Sequence, residues 1–446
     1  MKIMPGQRST GSAEAKQGAE TPPARHNWSW VEAGVWTEGM LSALGNGVKG
    51  GKWYSLIDKV YALETLRLAW VKVHANKGAA GVDEQSVDRF AAKAELYLSE
   101  LATALREDDY RPQAVKRVEI PKGDGRMRPL GIPTVKDRIV QQAVRLVIEP
   151  IFEGGFCDGS YGFRPGRGCR DALREVDRLL KAGYTHVVDA DLQSYFDTIP
   201  HGHLMGRVEE RVSDGRVLDL IRGWLTADIL QGVDRWTPVE GSPQGAVISP
   251  LLANIYLDPL DAFLAGRGYR MARYADDFVI LCRTAEEARA ALEAVRAWVN
   301  DNGLTLHPEK THVGDCGQPG QGFEFLGYRF EAGKRYVRKK SLNKLKDSLR
   351  AKTKRTRGDS LASIVADLNR TPRGWFGYFK HAHHFTFERL DAFTRRRLRA
   401  LLRRQEKKSS RTGMSQADHR RWPNAFFAET GLFALHTAWL SARQSR

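Results

Sequence analysis

Two adjacent carboxylates, Asp276 and Asp277, are the side chains of this sequence best placed for chemistry. They stand between two short strand-like runs, 269–273 and 278–282, which is the arrangement of a β-hairpin with an acidic pair at its turn. Like charges this close raise each other's pKa unless a cation neutralises them, and Mg²⁺ prefers carboxylate oxygens as ligands. Because Asp is also a common turn residue, the pair alone does not separate a metal site from an ordinary turn.

A third carboxylate, Asp191, ends the β-branched apolar run 185–191. Such a run predicts a buried strand with Asp191 at its tip. If this strand pairs with the hairpin, the three carboxylates form a cluster that can hold two metal ions about 3.5–4 Å apart. Asp189 and Asp197 flank Asp191, and we expect both to support the structure rather than bind metal.

These segments resemble the motifs of group II intron-encoded reverse transcriptases, which are also maturases. The resemblance covers roughly 44–440, and its clearest segments are Asp-Leu-Gln-Ser-Tyr-Phe-Asp (191–197), Ser-Pro-Gln-Gly (242–245) and Tyr-Ala-Asp-Asp (274–277). It implies RNA-templated DNA synthesis from dNTPs with two Mg²⁺ ions, or Mn²⁺ in their place. It also implies that the catalytic metal ligands are Asp191, Asp276 and Asp277, with the Leu192 carbonyl as an extra ligand.

The resemblance also assigns contacts with the incoming nucleotide. Residues 115–133 predict a hairpin, and its Ile-Pro-Lys and Arg-Pro-Leu-Gly-Ile-Pro segments match the family, which places Lys122 and Arg128 on the triphosphate. Without the resemblance, two cations on an exposed hairpin would be interpreted as solvated. Phe196 is expected to exclude a ribose 2′-OH, with an ordinary core position as the alternative. Gln244, in a Pro-Gln-Gly turn, is expected to offer its amide to the nucleotide.

Capping signals predict the helices that carry these motifs. Thr134 with Asp137 predicts a helix start, and Pro150 predicts the end of that helix. Ser249 as N-cap and Pro250 at the first helical position predict a helix that runs to residue 264. The order of strand, helix, hairpin and helix is that of a polymerase palm with a split βαβ arrangement.

The predicted fold class is therefore α+β. The family's fold is a right hand with fingers, a palm built on a split βαβ, ferredoxin-like core, and a helical thumb or maturase (X) region. We expect a polar, partly disordered extension over 1–43, fingers and palm over 44–330, the basic helical region over 331–405, and a short nucleic-acid-binding module over 406–446. No HNH endonuclease pattern follows, so second-strand cleavage is not expected of this chain.

Charge and composition indicate the kind of partner. The 70 Lys and Arg exceed the 53 Asp and Glu, for a formal charge of +17, which favours a polyanion such as nucleic acid. A membrane surface is less favoured, because the sequence has neither a long basic amphipathic helix nor a transmembrane run. The four scattered cysteines predict reduced thiols in a bacterial cytoplasm or nucleoid, and no zinc finger.

The second half of the chain carries most of the candidate RNA-binding features. Cations crowd between 334 and 357, and 368–379 interleaves cations with aromatic residues that can stack on bases. Further along the chain, an arginine cluster extends the basic surface: Arg395, Arg396, Arg397, Arg399, Arg403 and Arg404. The Gly-, Pro- and Arg-rich loop 161–168 is expected to suit a template backbone. His381, His383 and His384 look like a metal tract, but without an accompanying cysteine or carboxylate set they are interpreted as structural or RNA-facing.

The expected partners are intron RNA, an RNA template with a DNA or RNA primer, target DNA and dNTPs, without a membrane; monomer and dimer are not distinguished. As a family member the chain is expected to assist splicing and to return the intron to DNA by retrohoming. One alternative is an RNA-binding splicing helper without polymerase activity, which would need a broken carboxylate set. The other is a reverse transcriptase recruited for host defence, which usually lacks the maturase-like segment present here.

Overall fold

The computed structural model describes residues 28–121, 125, 127–406 and 415–444. Lys122, which the resemblance placed on the triphosphate, lies outside the described residues, as does most of the polar N-terminal extension. Helices and short strands alternate along the described part, which confirms the α+β class. Every helix among these residues is too short or too polar to cross a membrane.

The N-terminal part is helical. Its helices are α1 (Glu38–Asn46), α2 (Ile57–Tyr61), α3 (Leu63–Asn76), α4 (Val87–Ala91) and α5 (Ala94–Arg106). The apolar residues of α3 recur at helical spacing, and Leu66, Ala69 and Val73 are buried on one face of this helix.

The predicted finger hairpin is confirmed by β1 (Val115–Pro121) and β2 (Met127–Ile132), which pair antiparallel with Ile120 opposite Arg128. Two short strands that the sequence did not predict, β4 (Ile229–Gln231) and β5 (Asp234–Trp236), extend this sheet. The strand order is β2-β1-β4-β5, and β4 runs parallel to β1.

The helix after the hairpin, α6 (Val135–Glu153), begins as predicted, because the Thr134 hydroxyl accepts from the Asp137 backbone N–H at 3.1 Å. The prediction that Pro150 ends this helix is wrong, since the helix continues to Glu153. A proline inside a helix leaves the carbonyl four residues earlier without its N–H partner. Here that carbonyl belongs to Leu146, and it accepts instead from the indole N–H of Trp36 at 3.2 Å.

The palm is a four-stranded sheet with the order β6-β7-β3-β8 and with every neighbouring pair antiparallel. Its strands are β3 (His186–Asp191), β6 (Arg270–Tyr274), β7 (Asp277–Cys282) and β8 (His312–Asp315). The helices of this region are α7 (Cys169–Lys181), α8 (Tyr195–Thr198), α9 (His201–Glu209), α10 (Gly215–Leu225), α11 (Ser249–Gly266) and α12 (Ala285–Asp301). The predicted order of strand, helix, hairpin and helix is confirmed by β3, α11, β6–β7 and α12.

Strand β3 separates two hydrophobic cores, because successive side chains of a strand point to opposite faces of its sheet. Val188 and Ala190 are buried in the first core, which contains apolar residues of α6, α11 and α12. Val187 is buried in the second core, which combines α7 with residues of the C-terminal half as far as Leu435. Asp191 belongs to the Val187 face of the strand, so the candidate site lies on the side of the sheet that faces the second core.

Among the described residues from 323 onward, the C-terminal part contains a small sheet and six helices. The sheet has the order β11-β10-β9, with β9 (Phe323–Phe325), β10 (Tyr328–Glu331) and β11 (Lys334–Val337). The helices are α13 (Lys339–Lys352), α14 (Leu361–Phe379), α15 (Phe385–Gln405), α16 (Gln416–Arg421), α17 (Asn424–Glu429) and α18 (Leu435–Gln444). The second core crosses the predicted domain boundary at 330, and the division itself stays a prediction.

Two interpretations of the basic half need correction. Arg399 is not part of the basic surface, because its side chain is buried and donates from Nε to the Trp422 carbonyl at 2.9 Å. The aromatic residues of 368–379 pack against the second core rather than facing open solvent: the Trp375 ring contacts Phe379 with 4.7 Å between centroids, and Phe376 contacts Phe387 at 5.5 Å. An exposed basic surface is nevertheless present on and after α13, at Lys339, Lys340, Lys344, Arg350, Lys354 and Arg355.

Candidate active site

The turn between β6 and β7 carries the acidic pair, as predicted. Tyr274 and Asp277 are the last paired residues of the hairpin, so the turn itself consists of Ala275 and Asp276. Ala275 has a φ of 60°, a left-handed conformation that normally favours glycine and costs about 1–3 kcal/mol in other residues. Such strain persists only where surrounding contacts hold the backbone in place.

Those contacts come from Arg273, a buried arginine beneath the turn. Its Nη1 donates to the Ala275 carbonyl at 3.0 Å and to Asn254 Oδ1 at 3.0 Å. Its Nε and Nη2 donate to the two carboxylate oxygens of Asp261 at 2.7 Å and 2.5 Å. Both partners of this ion pair are buried, with side-chain exposures of 1% for Arg273 and 0% for Asp261. The guanidinium therefore ties the strained turn to helix α11.

The loop 161–168 packs against the backbone of the same turn, at Tyr274 and Ala275. A Cβ atom on Gly162 would lie 2.4 Å from the Ala275 nitrogen, so only glycine permits this close approach. The interpretation of the loop's cations as template contacts is wrong for Arg164. Its guanidinium is 3% exposed, pairs with Glu153 at 2.8 Å, and donates to the Cys157 carbonyl at 2.6 Å.

The structure brings the three predicted carboxylates together. Asp191 is the register partner of Asp277 in the antiparallel pair β3–β7, and Asp276 precedes Asp277 in the turn. Side chains of directly opposite residues lie on the same face of a sheet with Cβ atoms about 4.5–5.5 Å apart. Register and turn geometry together thus form one acidic cluster at the end of the palm sheet.

Burial and mutual repulsion dominate the electrostatics of this cluster. Burial raises the pKa of Asp277 to about 8, and the charges of Asp189, Asp191 and Asp276 act in the same direction. The pKa of Asp276 is also raised, chiefly by burial. Burial raises the pKa of Asp189 to about 7, and its position two residues before Asp191 puts it on the same face of β3. Asp189 thus contributes charge to the cluster, and its expected structural role stays a prediction.

A lysine that the sequence did not single out completes the cluster. Lys310 Nζ lies 2.9 Å from Asp191 Oδ1, so a cationic nitrogen occupies part of the acidic site. The segment that carries it is held by an isolated bridge between Leu192 and Leu306, whose hydrogen bonds use the Asp191 carbonyl and the Gln193 N–H. The Leu192 carbonyl is not used by this bridge. Carboxylates that share one end of a sheet, one of them already against a cation, supply the oxygen ligands that a hard divalent ion such as Mg²⁺ prefers.

The raised pKa values predict how the metal-free protein responds to pH. A carboxyl whose pKa is raised in the folded state contributes most stability below its unfolded pKa of about 4. That contribution is lost as the pH rises through the folded value of about 8 for Asp277. In the presence of a chelator, the free energy of unfolding should therefore decrease between these pH values. Urea denaturation at a series of pH values measures this free energy. In Asp277→Asn the free energy of unfolding should depend less on pH. The same pH dependence in the variant as in the unmodified chain would contradict this account.

The residues expected at the nucleotide form a second group beside the cluster. Arg128 Nε donates to Gln244 Oε1 at 2.9 Å, and Gln244 Nε2 donates to Asp197 Oδ2 at 3.3 Å. The Gln244 carbonyl accepts from the Gly131 N–H at 2.7 Å, which joins the turn to strand β2. The structure thus brings Arg128 and Gln244 together, and Asp197 is a partner of Gln244 that sequence reasoning did not identify.

The segment that leads from the Pro-Gln-Gly turn into α11 differs from the prediction in one detail. Ser249 is not the N-cap of α11 but its first residue, and Ile248 occupies the cap position. The Ser249 hydroxyl lies 2.6 Å from the Ser242 hydroxyl and donates to the Pro243 carbonyl at 3.0 Å. It therefore closes the 242–249 segment on itself instead of capping the helix.

Phe196 is half-buried between the two groups. Its ring lies 5.5 Å from that of Tyr195 and 6.5 Å from that of Phe163, and its carbonyl accepts from the Ser242 N–H at 2.6 Å. The ring lines a cavity of about 390 Å³ together with Pro243. The ring therefore packs on the first core and also borders open space, and its role in excluding a ribose 2′-OH stays a prediction.

Comparisons with known proteins agree with this architecture. A family model described as reverse transcriptase (RNA-dependent DNA polymerase) matches residues 120–330, and one described as group II intron, maturase-specific domain matches 342–422. Protein YkfC of Escherichia coli (strain K12) is 36% identical over 57% of this chain and 77% of its own length. The match over 120–330 defines the class of this chain as a reverse transcriptase.

Other relatives are matched over smaller parts of their length. Group II intron-encoded protein LtrA of Lactococcus lactis subsp. cremoris is 38% identical over 44% of this chain and 33% of its own length. Among solved structures, a chain of a partial Cas6-RT-Cas1--Cas2 complex has a TM-score of 0.36 and 26% identity, over 55% of this chain and 41% of that chain. The chain belongs to the group II intron-encoded reverse transcriptases with a maturase domain, and its reaction class is that of an RNA-directed DNA polymerase. Reverse transcriptases use divalent metal ions.

Proposed function

We propose that this chain copies an RNA template into DNA by two-metal nucleotidyl transfer, with Asp191, Asp276 and Asp277 as ligands of two Mg²⁺ ions, or of Mn²⁺ in their place. The pairing of Asp191 with Asp277 across β3 and β7 is the observation that carries this proposal. The Leu192 carbonyl is a further proposed ligand. When bound, the ions would activate the primer 3′-hydroxyl and stabilise the negative charge that develops on the triphosphate.

The protein's own residues would position the nucleotide. Arg128 is exposed on β2 and oriented by Gln244, and its two Nη groups offer paired donors that suit bidentate phosphate recognition. Gln244 is in turn oriented by Asp197, which fixes the direction of its amide. Lys122 remains a proposed phosphate contact from the same hairpin. Lys310 would release Asp191 as an ion enters, since ammonium and metal compete for the same carboxylate oxygen.

Phe196 is proposed as the residue that excludes ribonucleotides, because its ring borders a cavity that is also lined by Pro243, the residue before Gln244. Phe196→Ala should raise incorporation of rNTPs relative to dNTPs by about 10–100-fold, since small steric differences in a pocket contribute about 1–3 kcal/mol of discrimination. Single-nucleotide extension with each substrate gives the two kcat/KM values. Phe163→Ala, which shortens a neighbouring exposed ring, is the matched control; an equal loss of discrimination there would contradict a specific role of Phe196.

The proposed partners are the intron RNA, a primed RNA template and target DNA. The exposed cations on and after α13 support RNA backbone binding, because phosphate contacts supply most of the affinity of such surfaces. We propose splicing assistance and retrohoming as the roles of this surface, with the fingers and palm over 44–330, the thumb and maturase region over 331–405 and a C-terminal module over 406–446. The four cysteines are free thiols, which supports the predicted reducing compartment of a bacterial cytoplasm.

Primer extension tests the proposal directly. The unmodified chain should extend a DNA primer on an RNA template in the presence of dNTPs and Mg²⁺, and a chelator should stop the reaction. RNA binding by the same preparation should survive the chelator, because it depends on surface cations rather than on the acidic cluster. If the chain binds structured RNA tightly but extends no primer at any Mg²⁺ or Mn²⁺ concentration, it is a splicing helper without polymerase activity.

A further inference from the structure

Three metal-ligating side chains meet far from the acidic cluster, where α15 and α18 begin. The His384 Nδ1 atom lies 3.0 Å from Glu388 Oε1, and the His436 Nε2 atom lies 3.2 Å from the same oxygen. One ligand atom from each residue lies within 4.8 Å of the others. The interpretation that no carboxylate accompanies the histidine tract is therefore wrong. Glu388 follows one helical turn later, and His436 arrives from a helix that is distant in sequence.

Two of the three separations between these atoms are close to those of a tetrahedral metal site, and all three ligand atoms lie within 4.8 Å of one another. Zn²⁺ binds histidine nitrogen and carboxylate oxygen at about 2.0–2.2 Å, which places neighbouring ligand atoms of a tetrahedron about 3.3 Å apart or slightly more. The observed separations of 3.0 and 3.2 Å are close to this value. Two imidazoles with one carboxylate are a donor set that favours Zn²⁺ over Mg²⁺, which prefers oxygen ligands alone.

The surroundings hold the ligands in this orientation. His384 and Glu388 are four residues apart, so they lie on the same side of the helix start. The Asp391 carboxylate accepts from the backbone N–H groups of Leu435 and His436 at 2.9 Å each, which fixes the first turn of α18. The Trp439 ring stacks on His436 with 6.0 Å between centroids and an interplanar angle of 13°, and it also lies 5.6 Å from the His384 ring. These contacts fix the backbone at the start of α18 and pack the two imidazole rings against Trp439.

We propose that His384, Glu388 and His436 bind a Zn²⁺ ion, with water as the fourth ligand. The three side chains are 35%, 42% and 32% exposed, so an ion and its water can reach them. The ion joins the start of α15 to the start of α18 and so fixes the C-terminal helix on the maturase region. His384 and Trp439 also line a cavity of about 620 Å³ whose other walls carry Lys181, Lys380 and Arg443. Zinc would thus hold one wall of a basic cavity between the palm and the C-terminal helices.

The test uses the full-length chain and Zn²⁺ itself, in excess Mg²⁺ so that the carboxylate cluster is occupied by the ion it prefers. Equilibrium dialysis should find one Zn²⁺ per chain, and Co²⁺ in its place should give the visible absorption of a tetrahedral site. His436→Gln and Glu388→Gln should each weaken Zn²⁺ binding by more than about 100-fold, because loss of an outer-shell partner alone costs 10–100-fold. His203→Gln, at an exposed histidine on α9, should bind as the unmodified chain does.

Glu388→Gln distinguishes the loss of a metal ligand from a loss of Zn²⁺ binding that is caused by misfolding. The amide keeps the size of the carboxylate and can still hydrogen-bond to both imidazoles, so the helices should stay packed while the metal is lost. Circular dichroism of the metal-free proteins verifies that each variant is folded. If the unmodified chain retains no Zn²⁺, or if both variants bind it as tightly as the His203→Gln control, the three side chains form a hydrogen-bonded network only and the proposal is overturned.

Discussion

Replacing Asp276 with alanine is expected to abolish primer extension on an RNA template, with a loss of about 10³-fold or more in kcat/KM. The substitution removes one of three clustered carboxylates that would hold the ions. Metal stabilisation of developing charge is worth several kcal/mol, and each 1.36 kcal/mol corresponds to a factor of about ten. Single-turnover extension with saturating dNTP measures the loss at the chemical step.

Two observations must accompany that loss for it to locate the metal site. RNA binding by Asp276→Ala should be unchanged or slightly tighter, because the variant removes a negative charge and leaves the basic helices intact. Asp301→Asn, which neutralises an exposed carboxylate at the end of α12, should extend primers normally. Extension by Asp276→Ala within about tenfold of the unmodified chain would show that the turn carboxylate is not a metal ligand.

Loss of the buried arginine beneath the catalytic turn should be the most damaging change to stability. Arg273→Met leaves the fully buried Asp261 carboxylate without its cation, and breaking a buried ion pair in this way costs about 3–5 kcal/mol. Urea denaturation of the two proteins gives the difference in the free energy of unfolding. Arg289→Met, at an exposed arginine on α12, should change that quantity by no more than about 0.5 kcal/mol.

The double variant Arg273→Met, Asp261→Leu separates stability from catalysis. Replacing a whole buried ion pair with apolar side chains is often neutral, so the double variant should recover most of the lost stability. Extension should stay reduced, because the donor to the Ala275 carbonyl is still missing and the left-handed turn is no longer held. Full recovery of both properties would mean that the guanidinium acts on stability alone.

The sequence predicted those residues of the candidate site whose position follows from the residues next to them in the chain. Asp191 ends a strand-like run, whereas Asp276 and Asp277 stand between two such runs, and the alternation of those runs indicates which face of the sheet the carboxylates occupy. Lys310 and Arg273 were not predictable in their roles, because each depends on a partner brought in by the fold. Lys310 contacts the carboxylate of Asp191, which lies 119 positions earlier in the chain, and no pattern in the sequence around Lys310 predicts this contact.

The fold shows the same division between local and distant causes. The finger hairpin and the start of α6 follow from alternation and from the Thr134 cap, which act within a few residues. The continuation of α6 past Pro150 depends on an indole 110 residues from the carbonyl that it satisfies. The prediction of an exposed Arg399 failed for the same reason. Its positive charge favours a surface position, but its partner, the Trp422 carbonyl, is brought close only by the fold.

The position of β3 between two hydrophobic cores determines whether the protein tolerates truncation or the exchange of its C-terminal part. One side of the catalytic strand rests on palm helices, whereas the other rests on a core built jointly from α7 and residues as distant as Leu435. A fragment ending near residue 330 would lose the C-terminal part of the second core, so Phe325, Tyr328 and Phe330 would be exposed and the carboxylate-bearing face of the sheet would lose much of its packing. We therefore expect the palm and the C-terminal helices to unfold together, and an exchange of either part for a foreign counterpart would also have to repack the core that they share.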